Sequence, residues 1–115
     1  MNNNINLRNN YKKMEKRRIV FEIGVEYGTP VKKLEKIPKI MEKIMNDLEQ
    51  ATLDRCHFKA FGDFSLNFET VYYVKVPTYN VYMDVQQKVN LALVKAFEKE
   101  KIEFAFPIQT IHLKK

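Results

Sequence analysis

Apolar and polar positions alternate along the stretch from residue 19 to residue 27. Apolar side chains fall on every second position and are separated by Val20, Glu22, Gly24 and Glu26: Ile19, Phe21, Ile23 and Val25. Successive side chains of a strand point to opposite faces, so alternation of this length is typical of a half-buried strand. The pattern predicts a first strand from residue 19 to residue 27.

The period of the apolar residues then changes to three and four. Gly28, Thr29 and Pro30 predict a turn, an N-cap and a first helical position. The apolar stripe that follows predicts an amphipathic helix: Val31, Leu34, Ile37, Met41, Ile44 and Leu48. Pro38 removes one backbone hydrogen bond inside this helix. Because the stripe keeps its phase across Pro38, we expect one kinked helix rather than two.

Two further strands are predicted next, joined by a turn at Gly62-Asp63. The first covers 54–61 and should place Cys56, Phe58 and Ala60 on one face. The second covers 65–76, ends before Pro77, and should direct one set of residues to a common face: Leu66, Phe68, Thr70, Tyr72 and Val74. The short connection predicts an antiparallel hairpin.

A second helix is predicted over 80–101, with a buried stripe of Val85, Val89, Ala92, Leu93, Ala96 and Phe97. A last strand, 103–113, is interrupted by Pro107. The order is therefore strand, helix, strand, strand, helix, strand. This order predicts an α+β, ferredoxin-like βαββαβ fold, with a four-stranded antiparallel sheet and two helices on one face.

The charge is distributed unevenly along the chain of 115 residues, which has a net charge of +6. Residues 1–18 contain six basic groups and one acid, and Lys114 and Lys115 add two more positive charges. Residues 19–113 contain 12 basic and 13 acidic residues, so the predicted folded part is close to neutral. A groove-binding protein would carry its charge on a folded face, so we expect no nucleic-acid partner.

Membrane insertion and disulfide chemistry are also disfavoured. No apolar run approaches the roughly 20 residues that a membrane-spanning helix needs, so the chain itself is expected to be soluble. Its single cysteine, Cys56, excludes an internal disulfide and favours a reducing, cytosolic setting.

The residues that could take part in catalysis or metal binding are better explained by structural roles. His57, with Cys56 and Asp54, lacks the spacing of a recognised metal site. Cys56 as a nucleophile would need a nearby base and a lowered pKa, and burial as a small apolar residue is favoured instead. An acylphosphatase would need an Arg in the loop 26–30, which has none. We therefore predict no catalytic, cofactor-binding or metal-ligating residue and no enzyme activity.

The same fold class includes RNA-recognition modules, which stack bases on exposed aromatic residues of the sheet. Here the alternation assigns Phe21, Phe68 and Tyr72 to the helix-covered face. Three carboxylates are assigned to the open face, where they would repel phosphates: Glu22, Glu26 and Glu69. The aromatic residues are therefore predicted to be core.

Three segments resemble the cytosolic α/β domain of small-conductance mechanosensitive (MscS-like) ion channels. Arg17 to Pro30 is similar to the family's Arg-rich step into a strand that ends in Gly-Val-x-Tyr. The segment from Phe61 to Phe68 resembles its hairpin turn followed by Ser, a hydrophobic residue, Asn and Phe. Residues 102–107 and 110–113 resemble its closing motif, although Ala105 stands where Pro is usual.

The resemblance implies a role for each part of the chain. Residues 1–17 would be a basic arm that ends a preceding β domain, and 18–115 the ferredoxin-like domain. The whole channel would be a homoheptamer at the cytoplasmic face of the cell membrane, anchored by upstream helices, in which this domain forms part of a cage. This chain alone would be monomeric or weakly associated.

Two alternatives remain open at this stage. The basic cluster from Lys12 to Arg18 is either a solvated linker or a segment attracted to anionic lipid. The alternative function is a free-standing ferredoxin-like module that binds a small ligand or RNA.

Overall fold

The computed structural model describes residues 16–105 as a three-stranded antiparallel sheet with two helices. The strands are β1 (Arg17–Val25), β2 (Ala51–Phe61) and β3 (Leu66–Val74), and the helices are α1 (Val31–Asn46) and α2 (Tyr79–Glu100). The sheet order is β1-β3-β2. Both helices contribute side chains to one hydrophobic core with one face of the sheet. The α+β class and the antiparallel hairpin of β2 and β3 are as predicted.

The central strand β3 has the predicted buried face. Its five residues on that face are all buried: Leu66, Phe68, Thr70, Tyr72 and Val74. Val71 is also fully buried although it lies on the opposite face, between its cross-strand partners Val20 and Arg55. A central strand has a neighbour on each side, so even a residue on the face without helices is covered.

The predicted face of β2 is only partly correct, because β2 contains two irregularities. The strand starts at Ala51 rather than residue 54, and its register shifts between Leu53 and Arg55 and between Phe58 and Ala60. A bulge inserts an extra residue and reverses the facing of those that follow. Phe58 thus pairs with Phe68, whereas Ala60 pairs with Asn67, a residue of the opposite face. The prediction that Ala60 shares a face with Cys56 and Phe58 is wrong.

The first helix runs through Pro38 as a single element, as predicted. Its N-cap is Pro30 rather than Thr29, because the amide of Leu34 donates to the Pro30 carbonyl. Thr29 instead uses its Oγ1 to bond the Glu26 carbonyl at 2.7 Å, closing the preceding turn. Most of the predicted stripe packs into or against the core: Leu34, Ile37, Met41, Ile44 and Leu48. Val31 is 67% exposed, so the first turn lies outside the core.

The second helix ends in a left-handed cap at Lys101, with φ of 60°. The amide of Ile102 then bonds the Phe97 carbonyl, which satisfies a terminal acceptor and buries Ile102. Four residues of the predicted stripe are buried: Val85, Val89, Leu93 and Phe97. Gln86, which was not predicted, is buried as well. It accepts a hydrogen bond from the Tyr72 hydroxyl at 2.6 Å and donates one to Asn90 at 2.9 Å.

Only the start of the predicted last strand falls within the described residues. Phe104 forms an isolated antiparallel bridge with Val25. The Glu26 amide donates to Glu103 at 3.1 Å and the Ala105 amide donates to Gly24 at 3.0 Å. The predicted strand residues 106–113 and residues 1–15 of the predicted arm lie outside the described residues. In the part that is described, neither helix has the length and apolarity needed to cross a membrane.

Helix α1 offers a direct test of which part of its stripe stabilises the fold. Ile37→Ala is expected to lower the free energy of unfolding by about 2–5 kcal/mol, because Ile37 is completely buried and its truncation leaves a cavity. Val31→Ala should change it by less than about 0.5 kcal/mol, since Val31 is mostly exposed. Urea unfolding followed by circular dichroism measures both. Equal losses for the two variants would contradict this core.

Candidate functional site

The three segments that resemble the channel family meet at one end of the sheet. The end of β1 contributes Gly24 and Val25, the β2–β3 turn contributes Gly62, and the chain after α2 contributes Phe104. Val25 bridges to Phe104, and the carbonyl of Gly24 accepts from Ala105. The hydroxyl of Tyr27 donates to the carbonyl of Gly62. We call these residues, with Ser65 and Asn67, the motif junction.

Gly62 has no room for a side chain in the motif junction. Its amide donates to the Ser65 carbonyl at 2.7 Å, which closes the turn between β2 and β3. A Cβ at this position would lie 2.7 Å from Asn67 Nδ2 and 3.0 Å from the Ser65 carbonyl oxygen. The second contact is with backbone and cannot be relieved by a side-chain rotation. Glycine is therefore required here by close approach.

Gly24 performs a similar role on β1. A Cβ there would lie 3.0 Å from Ser65 Cβ and 3.1 Å from Ser65 Oγ. Ser65 Oγ in turn donates to Asn67 Oδ1 at 2.6 Å, and Asn67 is the cross-strand partner of Gly24. Small residues at 24 and 65 thus let the end of β1 lie against the hairpin turn.

The junction provides packing and hydrogen bonding rather than acid–base chemistry. A serine nucleophile needs a base within hydrogen-bonding distance, whereas the hydroxyl of Ser65 is bonded to the neutral amide of Asn67. What the junction does is fix the end of β1, the hairpin turn and the residues after α2 relative to one another.

The other candidate residues lie elsewhere and do not converge. Cys56 is buried as predicted, and burial raises the pKa of its thiol, although a hydrogen bond from Thr70 at 3.4 Å acts in the opposite direction. A nucleophilic cysteine needs the reverse shift. His57 is exposed and pairs with Glu69 across the hairpin. Between residues 16 and 105, no three His, Cys, Asp or Glu side chains are grouped to hold a metal ion.

The open face of the sheet carries a small ionic network that sequence patterning missed. Glu22 and Glu69 are direct cross-strand partners, an arrangement that is unfavourable for like charges. Lys59, at the second bulge of β2, contacts both carboxylates, at 3.2 Å and 3.3 Å. Arg55 adds a 2.8 Å contact to Glu69. Glu22 and Glu69 therefore lie on the open face as predicted, but each is paired with a neighbouring cation.

The aromatic residues nevertheless lie where the pattern placed them. Phe68 and Tyr72 are buried, and Phe21 packs edge-on against Tyr72 with ring centroids 5.9 Å apart. They belong to the core and cannot serve as stacking platforms for bases.

An apolar groove of about 440 Å³ runs beside the outer edge of β1. Its walls include Phe21 and Ile23 of β1, Leu93 and Val94 of α2, and Phe104. The ring of Phe104 stacks on Phe97 with centroids 4.6 Å apart. The groove begins at the motif junction and follows the edge of β1 that β3 does not occupy.

Comparison with known proteins identifies the family. The family model described as "Mechanosensitive ion channel MscS, C-terminal" matches residues 19–104, most of the chain. The chain belongs to the MscS family. The match runs from Ile19 in β1 to Phe104 and so includes every residue of the motif junction except Ala105.

Curated relatives and a solved structure agree with this assignment. The chain is 38% identical over 103 residues to the small-conductance mechanosensitive channel MscMJ of Methanocaldococcus jannaschii, covering 88% of this chain and 29% of that protein. It is 41% identical over 100 residues to the large-conductance channel MscMJLR of the same organism, covering 81% and 27%. The chain thus spans less than a third of the length of these relatives.

The crystal structure of Helicobacter pylori MscS in the closed state has the same fold over most of this chain. The TM-score is 0.58 at 23% sequence identity, and the match covers 79% of this chain and 35% of that one.

The motif junction predicts opposite effects for two glycines. Gly62→Ala is expected to destabilise the MscS-type domain by about 1–3 kcal/mol, because its new Cβ would displace the Asn67 side chain and crowd the Ser65 carbonyl oxygen at 3.0 Å. Gly28→Ala is the matched control: nothing lies within 4 Å of its Cβ position, and neither glycine has a positive φ. It should be neutral or stabilising by up to about 1 kcal/mol. Urea unfolding measures both, and a tolerated Gly62→Ala would contradict the close packing.

The ionic network predicts a pH-dependent loss in Lys59→Gln. Contacts with Arg55 and Lys59 lower the pKa of Glu69, so their stabilisation is present at neutral pH and is lost as the pH falls through that lowered pKa. The pKa of Lys59 is raised because its ammonium donates hydrogen bonds to the carboxylates of Glu22 and Glu69, so its contribution disappears only as the pH rises through that raised value. The urea midpoint of Lys59→Gln should drop at pH 7 and lie closer to that of wild type at roughly pH 3, where more of the carboxylates are protonated.

Lys39→Gln, at an exposed position of α1, removes the same charge away from the network and serves as the control. A loss for Lys59→Gln that is the same at both pH values, or the same as that of Lys39→Gln, would contradict this role.

Proposed function

We propose that this chain is the cytosolic C-terminal domain of a homo-oligomeric mechanosensitive channel that opens under membrane tension in osmotic down-shock. The observation that carries the proposal is the match of residues 19–104 to the MscS C-terminal family, with all three resembling segments meeting at the motif junction. The role is structural rather than enzymatic: the domain forms part of a cage wall, supports assembly and tunes gating.

We further propose that residues 18–115 complete a ferredoxin-like domain. The start of a fourth strand is supported by the two antiparallel hydrogen bonds at Glu103 and Ala105. Among the described residues, the edge of β1 opposite β3 is bonded to residues 103–105, which is where a fourth strand would begin. The arm predicted over residues 1–17 would then be the end of a preceding β domain, although Arg17 itself is the first residue of β1.

The proposed assembly is a homoheptamer at the cytoplasmic face of the cell membrane, with the membrane contacted by segments outside this chain. This chain alone is expected to be monomeric or weakly associated. No nucleic-acid partner is proposed, because Phe68 and Tyr72 are buried and the cations of the open face, Arg55 and Lys59, are already paired with Glu69 and Glu22.

Pore conductance is proposed to be determined outside this domain. The two M. jannaschii relatives are named for small and large conductance, yet this chain matches them at 38% and 41% identity. A domain that is similarly related to both is better suited to a role that the two channels share, such as assembly.

A domain exchange tests the proposed function. Residues 19–104 of this chain replace the matching segment of M. jannaschii MscMJ, and the chimera is expressed in a bacterial host that lacks its own mechanosensitive channels. We expect tension-activated currents in membrane patches and improved survival of osmotic down-shock, because a family member should supply the same contacts. Light scattering of the purified chimera gives the subunit number.

The control is MscMJ truncated before this segment. A chimera that reaches the membrane in wild-type amounts but stays closed up to the lytic tension would contradict the proposal.

A further inference from the structure

The N-terminus of α2 lacks the usual stabilising groups. Its N-cap residue, Thr78, makes no side-chain capping bond, and the first turn contains no acidic residue. A helix start normally uses such groups to satisfy its free amides and its partial positive charge. The first turn of α2 therefore receives neither kind of stabilisation from its own residues, which leaves contacts from outside the helix.

Arg17, the first residue of β1, makes those contacts. Its guanidinium carbon lies 5.8 Å from the ring centroid of Tyr79 and 5.2 Å from that of Tyr82. Its Nε donates to the carbonyl of Pro77 at 3.1 Å. Tyr79 and Tyr82 are three positions apart on one side of the helix, and their rings meet edge-on at 5.8 Å. One planar cation thus contacts both aromatic rings and the residue before the N-cap.

The positive charge of Arg17 lies near the positive end of the α2 dipole, so specific contacts are needed to explain its position. A cation near a helix N-terminus opposes the helix dipole, so simple charge attraction does not account for the position of Arg17. Two cation–π contacts and a directed hydrogen bond offset that cost. A lysine, which lacks the planar fork and the Nε donor, cannot reproduce the same geometry.

We propose that Arg17 is a positioning residue that couples the chain arriving at residue 16 to the first turns of α2. The backbone of Arg17 is paired with Val74 of β3, while its side chain reaches the helix. If the preceding segment moves, the resulting movement of Arg17 should therefore shift both the sheet and the start of α2. Its relevance to gating rests on the proposed channel function. Because the side chain of Arg17 already contacts Pro77, Tyr79 and Tyr82, it is not available to bind anionic lipid as an exposed basic residue would be.

Hydrogen exchange of this chain, followed by NMR, tests the contact itself. In Arg17→Gln the amides of Tyr82 and Met83 should exchange about three- to tenfold faster, as expected for the loss of such contacts. The amide of Tyr82 is informative because it makes a 3.0 Å bond to the Thr78 carbonyl. Amides of Val89 and Leu93, in the buried part of α2, should be unchanged.

Arg18→Gln is the matched control, because it removes the same charge from the exposed neighbouring position. Arg17→Lys should give only partial rescue, which distinguishes stacking from charge. Should Arg17→Gln not fold, Tyr82→Leu, which removes one ring, provides the same local readout. Unchanged exchange at Tyr82 and Met83, or equal acceleration in Arg18→Gln, would overturn the proposal.

The same substitutions test the coupling in an MscMJ chimera whose exchanged segment is extended to residues 16–104, so that it includes Arg17 and Arg18. Arg17→Gln should shift the tension for half-maximal opening relative to Arg18→Gln, with conductance unchanged. Identical tension responses for the two variants would overturn the coupling role, even with a local effect on exchange. A parent chimera without tension-activated current would instead count against the proposed function, while the exchange result would still decide the contact.

Discussion

The fold depends on the central strand β3, which is paired along both edges and buried on both faces. β3 pairs with β1 along one edge and with β2 along the other, so none of its neighbours can be removed without exposing backbone hydrogen-bonding groups. Its core face carries Phe68 and Tyr72, and its other face buries Val71. Both helices pack on the side of Phe68 and Tyr72 because that is where apolar area is available.

Burial of Tyr72 imposes a polar requirement on that core. Its hydroxyl has no access to water, and burial raises the pKa of Tyr72 far above its usual value, so the group must remain a neutral donor. The side-chain oxygen of Gln86 accepts this hydrogen bond. The side-chain amide of Gln86 in turn donates a hydrogen bond to Asn90 near the helix surface. The bond from Tyr72 to Gln86 joins the sheet to α2 and so fixes the rotation of the helix, since a turn of the helix would leave the buried Tyr72 hydroxyl unpaired.

The sequence predicted the parts of this structure that depend on periodicity. The buried face of β3, the stripe of α1 across Pro38 and the burial of Cys56 follow from side-chain spacing and were confirmed. The bulges of β2 were missed because Asp54 and Lys59 interrupt a pattern that otherwise looks regular, and Ala60 was misplaced as a result.

The junction and the Arg17 contacts were harder to foresee. Gly24, Gly62 and Phe104 could be recognised as parts of a family pattern, but their convergence depends on the order of the strands. The Arg17 contacts join positions 60 residues apart. No local pattern predicts which of several consecutive basic residues will contact Tyr79 and Tyr82. The burial of Gln86 is likewise a consequence of packing against Tyr72 and has no counterpart in the apolar stripe.

The two irregularities of β2 have a consequence for copies of this domain held side by side. β2 is an outer strand of 11 residues, and a straight outer strand of that length is a template for sheet-to-sheet fusion and aggregation. Its bulges break the spacing of free amides and carbonyls that an incoming strand would need. Two copies of the domain brought together at high concentration are therefore expected to touch through side chains, while their sheets stay separate.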